Sequence, residues 1–328
     1  MTETTMNTGS KLILALACLL AVPAAHAQAY PTRAVKLIVP FPPGGGTDYI
    51  ARELALHMGK QKNWNVVVEN RPGAGGSVGL ASAANARPDG YTIVLGQTSN
   101  LAILPTLQPK IQYDAVNGFT PVALVAEAPL VFVGPKQATY SNAQQFIEQV
   151  KDAAPNSMNF GIPGIGTVAH LTSVLFQQKS GIQIENIPYK GAADGIPSLI
   201  GNQIQAYMSS ASTLTGAIDD KQIKPLAVTS LARMKTLPDV PTLDESGFKG
   251  FNATTWFGIL VPAATPDEIV SVLGQAIRTA MDDKKFQEQI ENSGAMVVDG
   301  DQRVFAERIK TDTAMWADVI NTANITLK

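Results

Sequence analysis

The sequence predicts an α/β protein of two lobes, on two observations. Short apolar strands alternate with loops of glycine and small polar residues, and then with helices. This alternation runs through two successive stretches, and the C-terminal segment that follows has too few strands for a sheet of its own. The economical topology has the chain leave lobe 1 near residue 127, build lobe 2, and return near residue 252. Lobe 1 is then 28–127 plus 252–328, and lobe 2 is 128–251. In open sheets of this kind ligands bind at the carboxyl ends of strands.

Taken in order, Val35 to Val39 reads as a strand, and Val39-Pro-Phe-Pro-Pro-Gly-Gly-Gly-Thr-Asp48 leads into a helix starting near Thr47. Thr47 suits its N-cap, and Asp48 suits the positive end of its dipole. Asn65 to Glu69 is a second strand, ending in the glycine-rich loop Asn70 to Ser77, and Tyr91 to Leu95 is a third, ending at Gln97-Thr-Ser-Asn100. Phe119 to Ala126 and Leu130 to Val133 read as two apolar runs interrupted by Glu127-Ala-Pro129. A helix follows from an N-cap at Ser141, with Phe146, Ile147 and Val150 on one face. Strands at Met158–Ile162, Ile184–Tyr189, Ala206–Ser209 and Leu226–Thr229 build the second unit. Its small-residue strand ends are Pro163 to Thr167 and Ser209 to Thr213. Thr254 to Val261 is a strand long enough to cross between the lobes. Pro266 opens a helix as its N1 residue, and a final helix carries Phe305, Ile309, Trp316 and Ile320.

The chain has 328 residues, 45% of them hydrophobic, enough for two domains and a sizeable core. Lys plus Arg is 25, Asp plus Glu is 27 and the net charge is −2, so a nucleic-acid partner is excluded on electrostatic grounds. Lys11, the apolar run Leu12 to Val22 and Ala25-His26-Ala27 form a secretory leader too short to stay as an anchor. Cleavage after Ala27 gives a mature start at Gln28 in the periplasm. The one cysteine, Cys18, leaves with the leader, so no disulfide or thiolate chemistry remains.

Catalysis finds little support. His57 and His170 are the histidines left after processing, and no cysteine or acid cluster has metal-ligand spacing near either. No Gly-x-Ser-x-Gly elbow or P-loop lysine is present, so neither an enzyme nor a cofactor is expected. His170 lines a cleft on one reading and is a satisfied structural residue on the other. A hydrolase using Thr167 or Ser209 with His170 stays open as an alternative, although it lacks an orienting group and an oxyanion hole. The glycines at Gly44, Gly45 and Gly46 present helix N-terminal amides, which favour an anion. From residues alone the chain reads as an exported two-lobed binding protein for a small anion.

Several motifs, in order along the mature chain, resemble one known family. They are Tyr30-Pro31, Leu37-Ile-Val-Pro-Phe41, Gly44-Gly-Gly-Thr-Asp48, Val67 to Gly76 and Pro88-Asp-Gly-Tyr-Thr92. They continue with Gly166-Thr167, His170-Leu171, Pro188-Tyr-Lys-Gly191, Leu226 to Ser230, Leu237 to Thr242, Glu245-Ser-Gly247 and Trp256-Phe-Gly258. The chain resembles the Bug-type substrate-binding proteins of tripartite tricarboxylate transporters. The resemblance implies a type II periplasmic-binding fold, two lobes with mostly parallel sheets joined by a hinge, and no enzyme activity. It also implies a monomer that hands a carboxylate from the interlobe cleft to the membrane permease. A sensor feeding a signalling partner is the alternative.

The resemblance implies carboxylate contacts from the loops Phe41–Thr47 and Gly164–Thr167, and with the other strand ends the expected ligand-binding residues are Phe41, Gly44, Gly45, Gly46, Thr47, Ser77, Thr98, Ser99, Gly164, Gly166, Thr167, His170, Tyr189, Ser209 and Thr213. Asp48 is expected to cap its helix beside the ligand, and no metal or cofactor is expected. Departures from the family bear on specificity. Where the family often has Phe-Asp, this chain has Met208-Ser209; where it has Pro-Ser or Pro-Thr, this chain has Ser212-Thr213; and Ser77 replaces an asparagine. Losing that aspartate removes a negative charge at the far end of the ligand, which favours a second carboxylate over an ammonium group. The expected ligand is a dicarboxylate, with aromatic diacids such as terephthalate inside the class.

Overall fold

The computed structural model describes residues 30–108, 110–154, 157–189 and 193–327. The leader, its cleavage site at Gln28 and Lys190 lie outside the described residues. Residues Arg33–Lys328 form one compact unit; the residues before it are described from Tyr30, whose bond to Pro31 is cis.

The chain opens with β1 (Val35–Val39), α1 (Gly46–Lys62), β2 (Val66–Asn70), α2 (Ser77–Ala84) and β3 (Thr92–Gln97). A wide helical turn, Ser99–Ile103, leads into the short α3 (Leu104–Leu107) and then β4 (Phe119–Pro135). The chain continues with α4 (Ala143–Asp152), β5 (Asn159–Ile162), α5 (Val168–Ser180), β6 (Glu185–Pro188) and α6 (Ile196–Ile200). It goes on to β7 (Ala206–Ser210), α7 (Ala211–Asp219) and β8 (Ile223–Val228). The last elements are β9 (Thr254–Pro262), α8 (Asp267–Met281), α9 (Lys284–Asn292), β10 (Met296–Gly300) and α10 (Gln302–Thr322).

The fold is α/β with two lobes, and its sheet is mixed. Strands from βα units pair in parallel: β1 with β2 and β3, and β5 with β6 and β7. Two longer strands pair antiparallel: β9 beside β3, and β4 beside β9, β10, β7 and β8.

The two apolar runs expected at 119–126 and 130–133 are one strand. Glu127-Ala-Pro129 does not break it, because Pro129 pairs with Thr254 at the start of β9 and the partners change at the next residue, to β7 and β8. Proline has no N–H to give a ladder, so it suits the position where one neighbour ends and another begins. Three caps also differ from expectation. Helix α1 begins at Gly46 with Gly45 as N-cap, α4 is capped by Asn142, whose side chain accepts from Gln145 N, and Pro266 is the N-cap of α8 rather than its N1 residue.

Side chains brace the sheet where β4 changes partners. Thr98, fully buried at the end of β3, donates its hydroxyl to Thr254 O (3.1 Å) and accepts from Trp256 N (2.9 Å). Thr229 does the same below it, accepting from Leu130 N (2.9 Å) and donating to Ala253 O (2.7 Å). Helix α10 lies across the junction. Arg308 donates to Asp312 (3.0 Å) and to Thr254 Oγ1 (3.1 Å), and Asp312 accepts from the Trp256 indole (2.6 Å). Gly258 lets α10 approach, since a Cβ there would stand 2.3 Å from the Phe305 ring. Phe132, Phe146, Phe160 and Phe176 pack together beside β4, with neighbouring ring centroids 5.2 to 6.5 Å apart. Among the described residues no helix is long and apolar enough to cross a membrane.

The threonine brace is testable. Thr98→Val keeps the shape but orphans the Trp256 N–H. It is expected to cost about 1–3 kcal/mol in urea unfolding, and Thr98→Ser is expected to cost clearly less.

Candidate functional site

Three clusters of expected residues form at strand ends. The first surrounds the glycine loop after β1. Gly44 takes a φ of +86° and donates its N–H to Asp48 Oδ2 at 2.9 Å. Asp48, 3% exposed, also accepts from Arg52 Nε and Asn70 Nδ2, both at 2.8 Å. Burial works to raise its pKa, but the bonds from Arg52, Gly44 and Asn70 outweigh it and hold the carboxyl below its ordinary value. Asp48 is thus neutralised by Arg52 and anchors the loop. The amide N–H groups of Gly45, Gly46 and Thr47 have no partner among the described residues. A Cβ at Gly44 or Gly46 would meet nothing within 4 Å, and one at Gly45 only Pro42 O at 4.0 Å, so the loop faces open space.

The ends of β2 and β3 complete this cluster. Thr47 is turned away from capping α1 and donates to Gln97 Oε1 (3.1 Å), while Gln97 Nε2 donates to Ser99 Oγ (2.9 Å). Asn70 ties in the carbonyl of Phe41 (3.0 Å). Phe41 approaches the position of Gly76, next to half-buried Ser77. Thr98, expected at the ligand, has its hydroxyl committed to β9 instead. Gln97 and Asn70 are organisers that the glycine pattern did not single out. Their carboxamides look like ordinary strand-end polar groups until their partners on other strands are known.

The second cluster is the loop before α5. Gly164 and Gly166 have φ of +138° and +78°. Thr167 caps α5, accepting from His170 N (3.2 Å) and donating to Gly164 O (2.8 Å). His170 Nδ1 accepts from Gly166 N (3.1 Å). The loop also approaches the end of α3 and the C-terminal segment, since a Cβ at Gly166 would lie 3.0 Å from Leu107 and from Leu327. Half-buried Tyr189 sits beside it, its ring edge-on to Tyr207 with centroids 6.2 Å apart. The third cluster ends β7. Ser209 is buried, and Thr213 shares a 2.9 Å hydrogen bond with Ser210, the neighbour that alternation turns to the other face. No hydrogen bond among the described residues joins the Gly44–Thr47 loop to the Gly164–Thr167 loop.

The site as a whole offers backbone amides and hydroxyls with one neutralised acid. It suits an anion held by several N–H bonds rather than by an ion pair.

The chain is similar to several known proteins. Residues 50–325 match the TctC domain, the tripartite tricarboxylate transporter family receptor. Protein BugT of Bordetella pertussis is 34% identical over 303 residues, 92% of this chain and 93% of BugT. The solved structure of the periplasmic binding protein BugD is 34% identical with a TM-score of 0.73, covering 91% of this chain and 100% of BugD. MatC from Rhodopseudomonas palustris, with bound malate, has a TM-score of 0.71 at 28% identity, covering 89% of this chain and 100% of its own. An R. palustris protein with adipate has a TM-score of 0.76 at 28% identity, covering 90% of this chain and 99% of its own. The chain therefore belongs to the TctC or Bug family of periplasmic solute-binding proteins, receptors rather than enzymes.

Proposed function

We propose that this chain captures a small dicarboxylate in the cleft between its lobes and delivers it to the membrane permease of a tripartite tricarboxylate transporter. The observation that carries the reading is the row of unpartnered amides at Gly45, Gly46 and Thr47, at the N-terminus of α1, beside an acid already neutralised by Arg52. A carboxylate there gains charge-assisted bonds and the favourable end of the helix dipole. Malate and adipate, bound by similar proteins, are both dicarboxylates and support the ligand class.

In this reading lobe 1 is 28–127 plus 252–328, lobe 2 is 128–251, and the mature monomer starts at Gln28. Phe41, Gly44–Thr47, Ser77 and Ser99 form one wall. Gly164, Gly166, Thr167 and Tyr189 form the opposite wall, with Thr98 and His170 supporting the two walls from behind. Ser209 and Thr213 line the distal end, where the absence of an aspartate admits a second carboxylate and extends the range to aromatic diacids such as terephthalate.

A thermal-shift panel of mono-, di- and tricarboxylates and amino acids tests the class. A dicarboxylate at about 100 times its dissociation constant is expected to add about 2.7 kcal/mol, a shift of several degrees. Shifts with amino acids alone would overturn the reading.

Two substitutions separate the walls. Gly45 has an ordinary φ and room for a side chain, so Gly45→Val is expected to fold normally and to weaken every carboxylate at least tenfold in calorimetry. Ser209→Asp is expected to weaken dicarboxylates more than monocarboxylates. Unchanged affinity in Gly45→Val would remove the first wall from the site.

A further inference from the structure

We propose that His170 is a positioning residue: its neutral imidazole holds the Gly164–Thr167 loop in the shape that receives a carboxylate, and protonation of the ring releases it. The carboxylate part rests on the function proposed above; the coupling of ring to loop rests on geometry alone.

Thr167 caps α5, and His170 lies three residues on, so its side chain folds back over the first turn. Three hydrogen bonds then close a ring: Thr167 Oγ1 to Gly164 O (2.8 Å), His170 N to Thr167 Oγ1 (3.2 Å), and Gly166 N to His170 Nδ1 (3.1 Å). The last bond requires Nδ1 to be an acceptor, so the ring is neutral with its proton on Nε2. Gly166 carries a φ of +78° and sits against Leu107 and Leu327, so the residue the imidazole holds also meets the end of α3 and the C-terminal segment.

The other surroundings of the ring offer an imidazolium no compensation. His170 is 8% exposed and lines a cavity of about 530 Å³. Helix α5 contributes Gln177 and Gln178 to this cavity, the following turn Gln183, β6 Asn186 and α10 Thr322, and no acid or base among the described residues lines it. Burial accordingly holds the His170 pKa below its ordinary value. Protonation would set a new Nδ1–H against the Gly166 N–H, replacing a bond with two opposed donors. Because the folded pKa is depressed, the ordered loop is fully present above the ordinary histidine range, near 6.5, and is lost as pH falls through the depressed value. His57, the other histidine among the described residues, sits between Asp283 (3.0 Å) and Gln289 (3.1 Å) and marks a different environment.

The test combines imidazole and amide ¹⁵N NMR of the full mature chain from pH 4.5 to 8 with calorimetry, using adipate as the probe at pH 7.5 and 5.0. The expected spectrum shows the Nε2–H tautomer for His170, and a Gly166 amide whose shift follows the ring's titration below pH 6.5. Adipate affinity is expected to fall at least tenfold more between the two pH values in the native chain than in His170→Gln. Glutamine retains an acceptor but does not titrate, so its profile carries adipate's own protonation. His170→Leu is expected to bind about tenfold more weakly at pH 7.5, and His170→Gln to recover most of that loss. An Nδ1–H tautomer, a Gly166 amide indifferent to the titration, or identical pH profiles in the native and glutamine proteins would overturn the proposal. If adipate and the other carboxylates give no heat at pH 7.5, the carboxylate reading fails, and the NMR titration still decides the ring-to-loop coupling.

Discussion

The structure depends on one point in β4, where over residues 127–131 the strand exchanges the neighbours β9 and β10 for β7 and β8. Pro129 faces Thr254, and immediately beyond it β4 is flanked by β7 and β8 instead of β9 and β10. A partner change in the middle of a sheet leaves backbone groups without a ladder, and buried orphans of that kind are costly. Thr98 and Thr229 resolve this by placing hydroxyls where ladder bonds end, each accepting from one backbone N–H and donating to one carbonyl. Arg308, Asp312 and Trp256 tie α10 to the same point. Buried hydroxyl, carboxylate and indole groups thus tie this point of the sheet together.

This junction leaves the binding work to loops at the strand ends. In each wall a side chain engages some of the backbone groups and thereby fixes the orientation of others. Asp48 takes the Gly44 amide and leaves those of Gly45, Gly46 and Thr47 exposed, and its own charge is met by Arg52. Thr167 and His170 take the carbonyl of Gly164 and the amide of Gly166. In the proposed reading these loops set the ligand class, because oriented amides favour an anion whatever its carbon skeleton. In the proposed reading, selectivity among anions lies at the far end, at Ser209.

The βα alternation, the glycine loops and the apolar face of the last helix were legible in the chain because each is a local pattern. The continuity of β4 was not, because Glu127-Ala-Pro129 looks like an interruption until Thr254, far along the chain, is seen to pair with Pro129. Thr98 looks like a ligand contact for the same reason: its true partners are the backbone of Thr254 and Trp256. Thr47 had the right chemistry for a cap, but the helix starts one residue earlier and its hydroxyl is drawn to Gln97. The family motifs indicated the receptor class correctly, since they span the whole chain in order. Individual roles, such as that of His170, depend on which nitrogen meets which amide, and spacing does not encode that.

The most direct test of the account is a crystal structure of the mature chain with a bound dicarboxylate. The account predicts one carboxylate group within hydrogen-bond distance, roughly 2.7–3.2 Å, of at least two amides among Gly45, Gly46 and Thr47, with the Gly164–Thr167 loop closing on it from lobe 2. A ligand seated elsewhere, with those amides facing solvent, would contradict it.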